Sequence, residues 1–307
     1  MSDPAATPTR RHLLFAAAGV SATALAAPRG SLPRGSRLDL SEPRIALASY
    51  VKLRGSTADE TVFQPYGGDI FLAADGQLGV PLLGFWGLQK SVWRRGTDGS
   101  WSNRDYDLGF YVDYSTRAIL DRWRNPVTGR EVKVYHYRGG PSGGRFAIGA
   151  AAAGAGDPYS HLEGHWMIAG PQVWYTASVW GERPNPLRAD EFPDSFSGDT
   201  LRNSMSTTYS GRLAELADPA VHQVPGLQVW SNTSSWMHWM EMGRQPGYNH
   251  WRWVGAKGTA VRDLDPALVA AAERAWPGYV TRDAAWKTPT SGGLDYLRLR
   301  RGLPLTD

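Results

Sequence analysis

The sequence predicts one mainly β domain: an antiparallel meander of aromatic-rich strands, closed or nearly closed into a lipocalin-like β-barrel, with a short C-terminal helix. A β-sandwich is the alternative. Three observations predict it. Runs in which apolar and polar residues alternate recur from Ile45 to Trp180, and turn signals such as Gly96-Thr97-Asp98-Gly99 separate them at short spacing. Both faces of these runs are of mixed character, which suits a closed barrel better than a sandwich. No linker divides the chain after residue 40, so its 307 residues read as one domain from 41 onward.

Taken in order, residues 1–27 read as a twin-arginine signal peptide. Thr9-Arg10-Arg11-His12 precedes an Ala-rich apolar run from Leu13 to Ala27, which is too short for a good membrane span, and Ala24-Leu25-Ala26 suits cleavage. The expected destination is periplasmic or extracellular, with the twin-arginine export machinery as a transient partner and no stable membrane span in the mature protein. Residues 28–40 are a flexible lead-in rich in Pro, Gly, Ser and Arg. Ile45, Leu47, Ser49, Val51 and Leu53 alternate with Ala46, Ala48, Tyr50, Lys52 and Arg54 as in a strand, leaving Lys52 and Arg54 on an outer face or against an anionic ligand group. Thr61 to Leu72 follows, with a bulge expected at Gly67-Gly68. Leu82–Trp93 and Trp101–Tyr114 form a hairpin, and Gln172–Gly181 and Leu201–Arg212 give two more strands.

Gly139 to Gly156 is a Gly- and Ala-rich insertion without a phosphate-binding signature, and Pro184 to Asp199 is a loop. Trp236 to Met242 fits a short helix or a strand. Pro266 to Trp276 reads as a helix, with Asp265 as N-cap, Pro266 in its first turn and Pro277-Gly278 as its stop.

The composition narrows the chemistry. With no Cys there are no disulfides, thiolate nucleophiles or Cys-ligated metals. The net charge of +4 falls to about +3 once Asp3, Arg10 and Arg11 leave with the leader, which argues against a nucleic-acid surface. The 14 Trp suit a pocket for an aromatic or apolar small molecule, although most of them must simply fill core.

The densest signal is the hairpin from Thr116 to Arg138. Pro126 and Gly129 set its turn, with Asn125 opposite Arg130. In that register Asp121, Trp123 and Asn125 share a face with Val132, Val134 and His136. A carboxylate and an imidazole among apolar residues suggest a cavity wall, or a structural pair that holds the hairpin. His161-Leu162-Glu163-Gly164-His165 is a second cluster, whose His161, Glu163 and His165 match the ligand types of a divalent metal site or else are surface histidines.

Asp121-Arg122-Trp123-Arg124-Asn125-Pro126, the Thr128-Gly129 that follows and then His136 resemble the family known as domain of unknown function 1838. Val51 to Ser56 and Ser234 to Gly243 are similar to that family's early and late blocks, so the likeness spans roughly Leu40 to Tyr279. The resemblance implies a β-rich domain, marks Trp123, Asn125 and His136 as motif residues, and names no reaction.

The residues themselves suggest an exported lyase or isomerase working by general acid–base chemistry on a small aromatic or apolar molecule, with no organic cofactor. Asp121 and His136 are the candidate catalytic pair, and Trp123, Asn125, Arg54, Trp86, Tyr111 and Trp239 the candidate substrate contacts. A metal-dependent enzyme and a non-catalytic carrier of an apolar ligand are the alternatives.

Overall fold

In the computed structural model, residues 38–76, 79–148, 164–258, 260–282 and 284–306 are described. Helix α1 (Pro43–Arg54) leads into three long strands, β1 (Thr61–Ala73), β2 (Val80–Arg95) and β3 (Trp101–Val112). The short hairpin β4 (Arg122–Arg124) and β5 (Glu131–Lys133) follows, then β6 (Tyr137–Ser142) and β7 (Arg145–Phe146). Strands β8 (His165–Ala169), β9 (Gln172–Pro184) and β10 (Thr200–Arg212) come next, then helix α2 (Leu213–Ala217), β11 (Gly226–Ser234) and β12 (Tyr248–Lys257). Helices α3 (Pro266–Ala275) and α4 (Gly292–Arg300) complete the order.

The fold is mainly β and antiparallel, as the alternating pattern predicts, but the sheet does not close into a barrel. Ten strands form one sheet in the order β6-β3-β2-β1-β12-β11-β10-β9-β8, with β7 paired to β3, and the two edges are not hydrogen-bonded to each other. The sheet curls until strands from both its ends, β6 and β9, border one cavity. Helix α1 stands at the seam: the Tyr50 ring packs 6.0 Å from Phe146 of β7 on one side and 4.8 Å from Tyr175 of β9 on the other.

That helix corrects the strand expected over Ile45 to Arg54. Its Glu42 carboxylate accepts from the amides of Arg44 and Ile45, Pro43 sits in the first turn, and the chain stops at Gly55. The same residues that alternate also place Leu47, Tyr50, Val51 and Leu53 at helical spacing on a buried face. Lys52 is therefore buried, donating to the carbonyls of Leu216 (3.1 Å) and Asp218 (2.7 Å). Two smaller corrections concern β1 and the C-terminus. The register irregularity of β1 falls between Ile70 and Phe71, not at Gly67-Gly68, and α4 is a second C-terminal helix that the sequence reading did not contain. Helix α3 forms as expected, with Asp265 accepting from the Ala267 amide.

Period-two alternation separates an outer core from two inner ones. On β2 and β3 the even residues Leu88, Val92, Tyr106, Leu108 and Phe110 face outward and pack under Leu268, Ala271 and Ala272 of α3. On the inner face, α1 joins Trp93, Phe146, Val173 and Tyr209 in one cluster. The hairpin β4–β5, the loop carrying Leu187, Phe192 and Phe196, and the turn Trp236–Met242 form another cluster with Ile70, Phe85 and Trp251. The segment Trp236–Met242 resolves as a single 3-10 turn over His238–Met240. No helix among the described residues is long and apolar enough to cross a membrane. The leader expected at 1–27 lies outside the described residues, and of the lead-in only 38–40 fall within them.

Helix α4 is pinned by a buried ion pair. Arg138 donates to Asp295 through Nε (2.6 Å) and Nη2 (2.9 Å), and its guanidinium lies over the rings of Trp276 and Trp286. Removing one partner leaves the other charge buried and unpaired. Asp295→Ala is expected to destabilise the fold by about 3–5 kcal/mol in urea denaturation, whereas truncating one of the exposed pair Arg122–Glu131 should change it by less than about 1 kcal/mol.

Candidate active site

The curled sheet borders a half-open cavity of about 720 Å³. Its walls come from inward-facing residues of β1–β3, β6 and β9–β12, and its ends are formed by Arg54 of α1, the turn near Trp239 and the start of α4. The aromatic wall is continuous: Tyr66 stacks on Trp253 (4.8 Å) and Phe85 (5.7 Å), Trp253 on Trp230 (5.3 Å), and Tyr111 packs on Trp239 (4.8 Å). Such a surface suits flat apolar molecules.

Two glycines let these rings lie flat on the sheet. Tyr66 of β1 is paired with Gly87 of β2, which is paired in turn with Gly109 of β3. A Cβ on Gly87 would fall 2.3 Å from Tyr66 Cζ, and one on Gly109 would fall 2.1 Å from Phe85 Cζ. Laid across Gly87, the Tyr66 hydroxyl reaches β3 and donates to Asp107 Oδ1 at 2.6 Å.

Asp107 is a strongly perturbed carboxyl bordering the cavity. Burial raises its pKa, the Tyr66 hydrogen bond lowers it in part, and the charge of Asp105 two residues away raises it again, leaving it pushed up to about 7. Asp105 is handled differently: its carboxylate accepts from Arg54 Nη2 (3.0 Å), Asn103 Nδ2 (2.8 Å) and Ser91 Oγ. The two carboxyls on one strand face thus have separate roles, one ion-paired and one able to exchange a proton near neutral pH. Burial also raises the phenols of Tyr111 and Tyr137, which therefore remain protonated donors.

The far end of the cavity holds His238, which is 6% exposed, with Nδ1 lacking a hydrogen-bond partner. Burial pulls its pKa down to about 4, against the opposing effect of the Ser195 carbonyl, so the imidazole is neutral. Asn232 Oδ1 is likewise buried without a partner on this wall. Unsatisfied buried polar atoms along a cavity point to groups held for a ligand.

The residues singled out from the sequence divide into three sets. Arg54, Tyr111 and Trp239 line the cavity, although Arg54 is engaged by Asp105. The hairpin has the expected register, with Trp123 paired to Val132 and the Asn125 amide donating to the Arg130 carbonyl. Its buried face, however, packs against the turn near Met240 rather than on the cavity. Trp123 lies edge-on to Trp239, and Asn125 donates to the Met240 carbonyl while accepting from the amides of Val127 and Thr128. Trp86 faces outward, opposite in parity to Phe85, and packs beside Phe110.

Asp121 and His136 are not among the residues lining the cavity. Asp121 is exposed, its carbonyl accepting from the Val134 amide. His136 accepts the Tyr111 amide at Nδ1 (3.2 Å), and burial lowers its pKa while the charge of Asp121 raises it. Of the suggested metal set, His161 and Glu163 lie outside the described residues, and His165 is exposed at the start of β8. Among the described residues no group of three or more His, Asp or Glu side chains is placed to hold a metal ion.

Asp107 and Tyr66 were not singled out from sequence, yet a signal for Asp107 was there. Asn103, Asp105 and Asp107 alternate with Tyr106, Leu108 and Phe110, which puts two carboxyls on one face of an otherwise apolar strand. Nothing in the sequence shows that Tyr66 lies two strands away on the same face.

Fold and cavity together define a mainly β protein whose ten-stranded curled antiparallel sheet borders an aromatic-walled cavity. The family model "Protein of unknown function (DUF1838)" matches residues 59–298, and the chain belongs to that family. A search of curated proteins gives no significant match.

The raised pKa of Asp107 links stability to pH. The folded chain keeps this proton up to about pH 7, whereas an unfolded Asp releases it near 3.8, so the stabilisation is complete below 3.8 and is lost as pH rises through 7. Urea midpoints measured from pH 4 to 8 should fall less steeply in Asp107→Asn than in the wild type. In Tyr66→Phe, which removes the one interaction lowering this pKa, the carboxyl should titrate above 7 in ¹³C-detected NMR.

Proposed function

We propose that this protein is a general acid–base enzyme of lyase or isomerase type, acting without an organic cofactor on a small aromatic or apolar molecule in the interior of its sheet. The observation that carries this reading is the Tyr66–Asp107 hydrogen bond of 2.6 Å inside an aromatic cavity, with the carboxyl poised near pH 7. A general base works best when its pKa is close to the working pH.

In this reading the ionised Asp107 takes a proton from a substrate carbon next to an electron-withdrawing group. The electron pair left behind moves toward that group, where a protonated phenol, Tyr111 or Tyr137, donates a hydrogen bond to the growing negative charge. Asp107 then returns its proton to a different carbon, giving an isomer, or to a departing hydroxyl, which leaves as water. Only proton transfers are needed. The Arg10-Arg11 pair ahead of the apolar run Leu13 to Ala27 is the sequence pattern that supports export of the folded protein and action in the periplasm or outside the cell.

A panel of small aromatic and terpenoid carbonyl compounds in D₂O, followed by ¹H NMR, tests the proposal. Wild-type protein should exchange, isomerise or dehydrate at least one compound, at a rate that rises with pH through about 7. Asp107→Asn should lower that rate by about 10²–10⁴-fold. Binding without any exchange or conversion would favour the carrier instead. A loss of turnover in His136→Gln with Asp107→Asn unaffected would move the site to the hairpin.

A further inference from the structure

The hairpin that dominates the sequence signal does not line the cavity, but it holds two residues that do. The Trp123 ring lies edge-on to that of Trp239 (5.8 Å), and Asn125 Nδ2 donates to the Met240 carbonyl (2.8 Å), which fixes the turn carrying Trp239. Just past the hairpin, His136 Nδ1 accepts from the Tyr111 amide (3.2 Å), and its ring stacks 6.2 Å from that of Tyr111. Tyr111 and Trp239 in turn pack on each other at 4.8 Å, and both line the cavity. The hairpin thus supports one pair of side chains from behind.

That pair has a hydrogen bond to give. Tyr111 is 3% exposed, and its hydroxyl donates to no group among the described residues. The neighbour turned toward the hydroxyl oxygen is Trp239 Nε1, a buried N–H that lowers the Tyr111 pKa against the effect of burial and has no other partner. With an N–H directed at its oxygen, the hydroxyl must send its own hydrogen elsewhere. Buried hydroxyls rarely lack an acceptor, and this one belongs to a residue of the cavity wall. Tyr137, whose phenol also feels the charge of Asp107, is placed differently: it folds back on its own strand, where a Cβ on Gly139 would fall 2.3 Å from its hydroxyl.

Tyr111 and Asp107 share the inner face of β3, on either side of Gly109. The Phe85 ring takes the place a Cβ on Gly109 would fill, so an apolar floor lies between carboxyl and phenol. The charge that acts on Tyr111 is that of Asp107, negative once the carboxyl ionises. An anionic group at the phenol would be repelled, so the hydroxyl suits an oxygen that carries no charge when it binds.

We propose that Tyr111 is the donor that receives the substrate's oxygen, with Trp239 Nε1 holding and polarising its hydroxyl, and that the substrate is an uncharged aromatic or conjugated ketone or aldehyde. This rests on the acid–base reading above and names its donor and its substrate class. Asp107 takes a proton from a carbon next to the carbonyl. The C–H electron pair becomes a new C=C bond, and the carbonyl π pair moves onto oxygen, where the Tyr111 hydroxyl donates to it. Negative charge passes from carboxylate to oxygen, so two neighbouring anions never coexist. Return of the proton to the far carbon of the conjugated system completes an isomerisation in which no atom is gained or lost. Trp239, and behind it Trp123, Asn125 and His136, are positioning residues.

Infrared difference spectra of bound benzylideneacetone, ¹³C-labelled at its carbonyl, test the donor, with affinities from Trp fluorescence and trans-β-methylstyrene as the analogue lacking the carbonyl. In wild type the carbonyl stretch should fall below its value in an aprotic solvent, and Tyr111→Phe should return it to that value. The same substitution should weaken ketone binding about 2–10-fold and change hydrocarbon binding by less than about twofold. Because the hydroxyl holds nothing in the fold, Tyr111→Phe should keep the wild-type urea midpoint. Trp239→Phe, which removes the N–H and keeps an aromatic ring, should return the stretch part of the way, a change that loss of packing alone would not produce. Absence of ketone binding at millimolar concentration, a stretch equal in wild type and Tyr111→Phe, or a shift lost in Tyr137→Phe and kept in Tyr111→Phe would each overturn the assignment; a stretch unchanged in Trp239→Phe would overturn the part given to the indole. Deuterium uptake into the ketone from D₂O separates the two claims. A shifted stretch with equal uptake in wild type and Asp107→Asn would sink the acid–base reading and keep the oxygen site. Uptake that requires Asp107, with the stretch the same in wild type and Tyr111→Phe, would do the reverse.

Discussion

The buried ion pair between Arg54 and Asp105 joins the two parts of the molecule that the cavity needs held in place. Arg54 ends the helix at the seam of the open sheet, and Asp105 lies in the strand at its floor. With side chains only 10% and 7% exposed, such a pair is costly to desolvate and persists only where further hydrogen bonds complete it. Ser91 and Asn103 provide them, and the Arg54 guanidinium also lies over the Phe146 ring of the neighbouring edge strand. The same pair fixes the charge of Asp105 beside Asp107, so one interaction sets both the shape of the seam and the electrostatics of the adjacent carboxyl.

From that constraint follows an unusual distribution of polarity. The outer face of β2 and β3 is apolar and covered by α3, whereas the inner face carries Gln89, Ser91, Asn103, Asp105 and Asp107. A sheet curled only to bury hydrocarbon would place these groups on the other side. Their desolvation is offset locally: Gln64 donates to Gln228, Tyr66 to Asp107, and Arg54 to Asp105. Among the buried polar groups left without a partner, those of Asn232, His238 and Trp239 lie on the walls of the same cavity. Polar groups without a partner on a concave aromatic surface are available to a ligand, whereas those of Trp93, Ser197, Gln223 and Asn249 lie away from it.

How far the sequence revealed this varied with the range of the interaction. The hairpin register was legible because Pro126 and Gly129 act locally, and the helix over Pro266–Ala275 because Asp265 and Pro266 lie at its start. The segment from Pro43 to Arg54 misled because its apolar residues satisfy both a period of 2 and one near 3.6, and only the N-terminal Glu42-Pro43 distinguishes them. The buried side of the hairpin was identified correctly as a face. What it buries against, the turn at Trp239 to Met242, is more than a hundred residues away and has no local signature. Tyr66, Asp107, His238 and Gly292 border one cavity through the curl of a ten-stranded sheet, which alternation along any one strand does not encode.

The carboxyl of Asp107 also bears on what kind of protein would keep such an interior. For holding an apolar ligand, Asn or Gln at that position would serve the Tyr66 hydroxyl with an acceptor and avoid a group that loses stability as it ionises. A Gly pair that lets the phenol lie flat is a further cost in strand propensity, and it brings the hydroxyl to Asp107 Oδ1. An acid kept at the edge of ionisation is useful where protons move, because only there do both of its states take part.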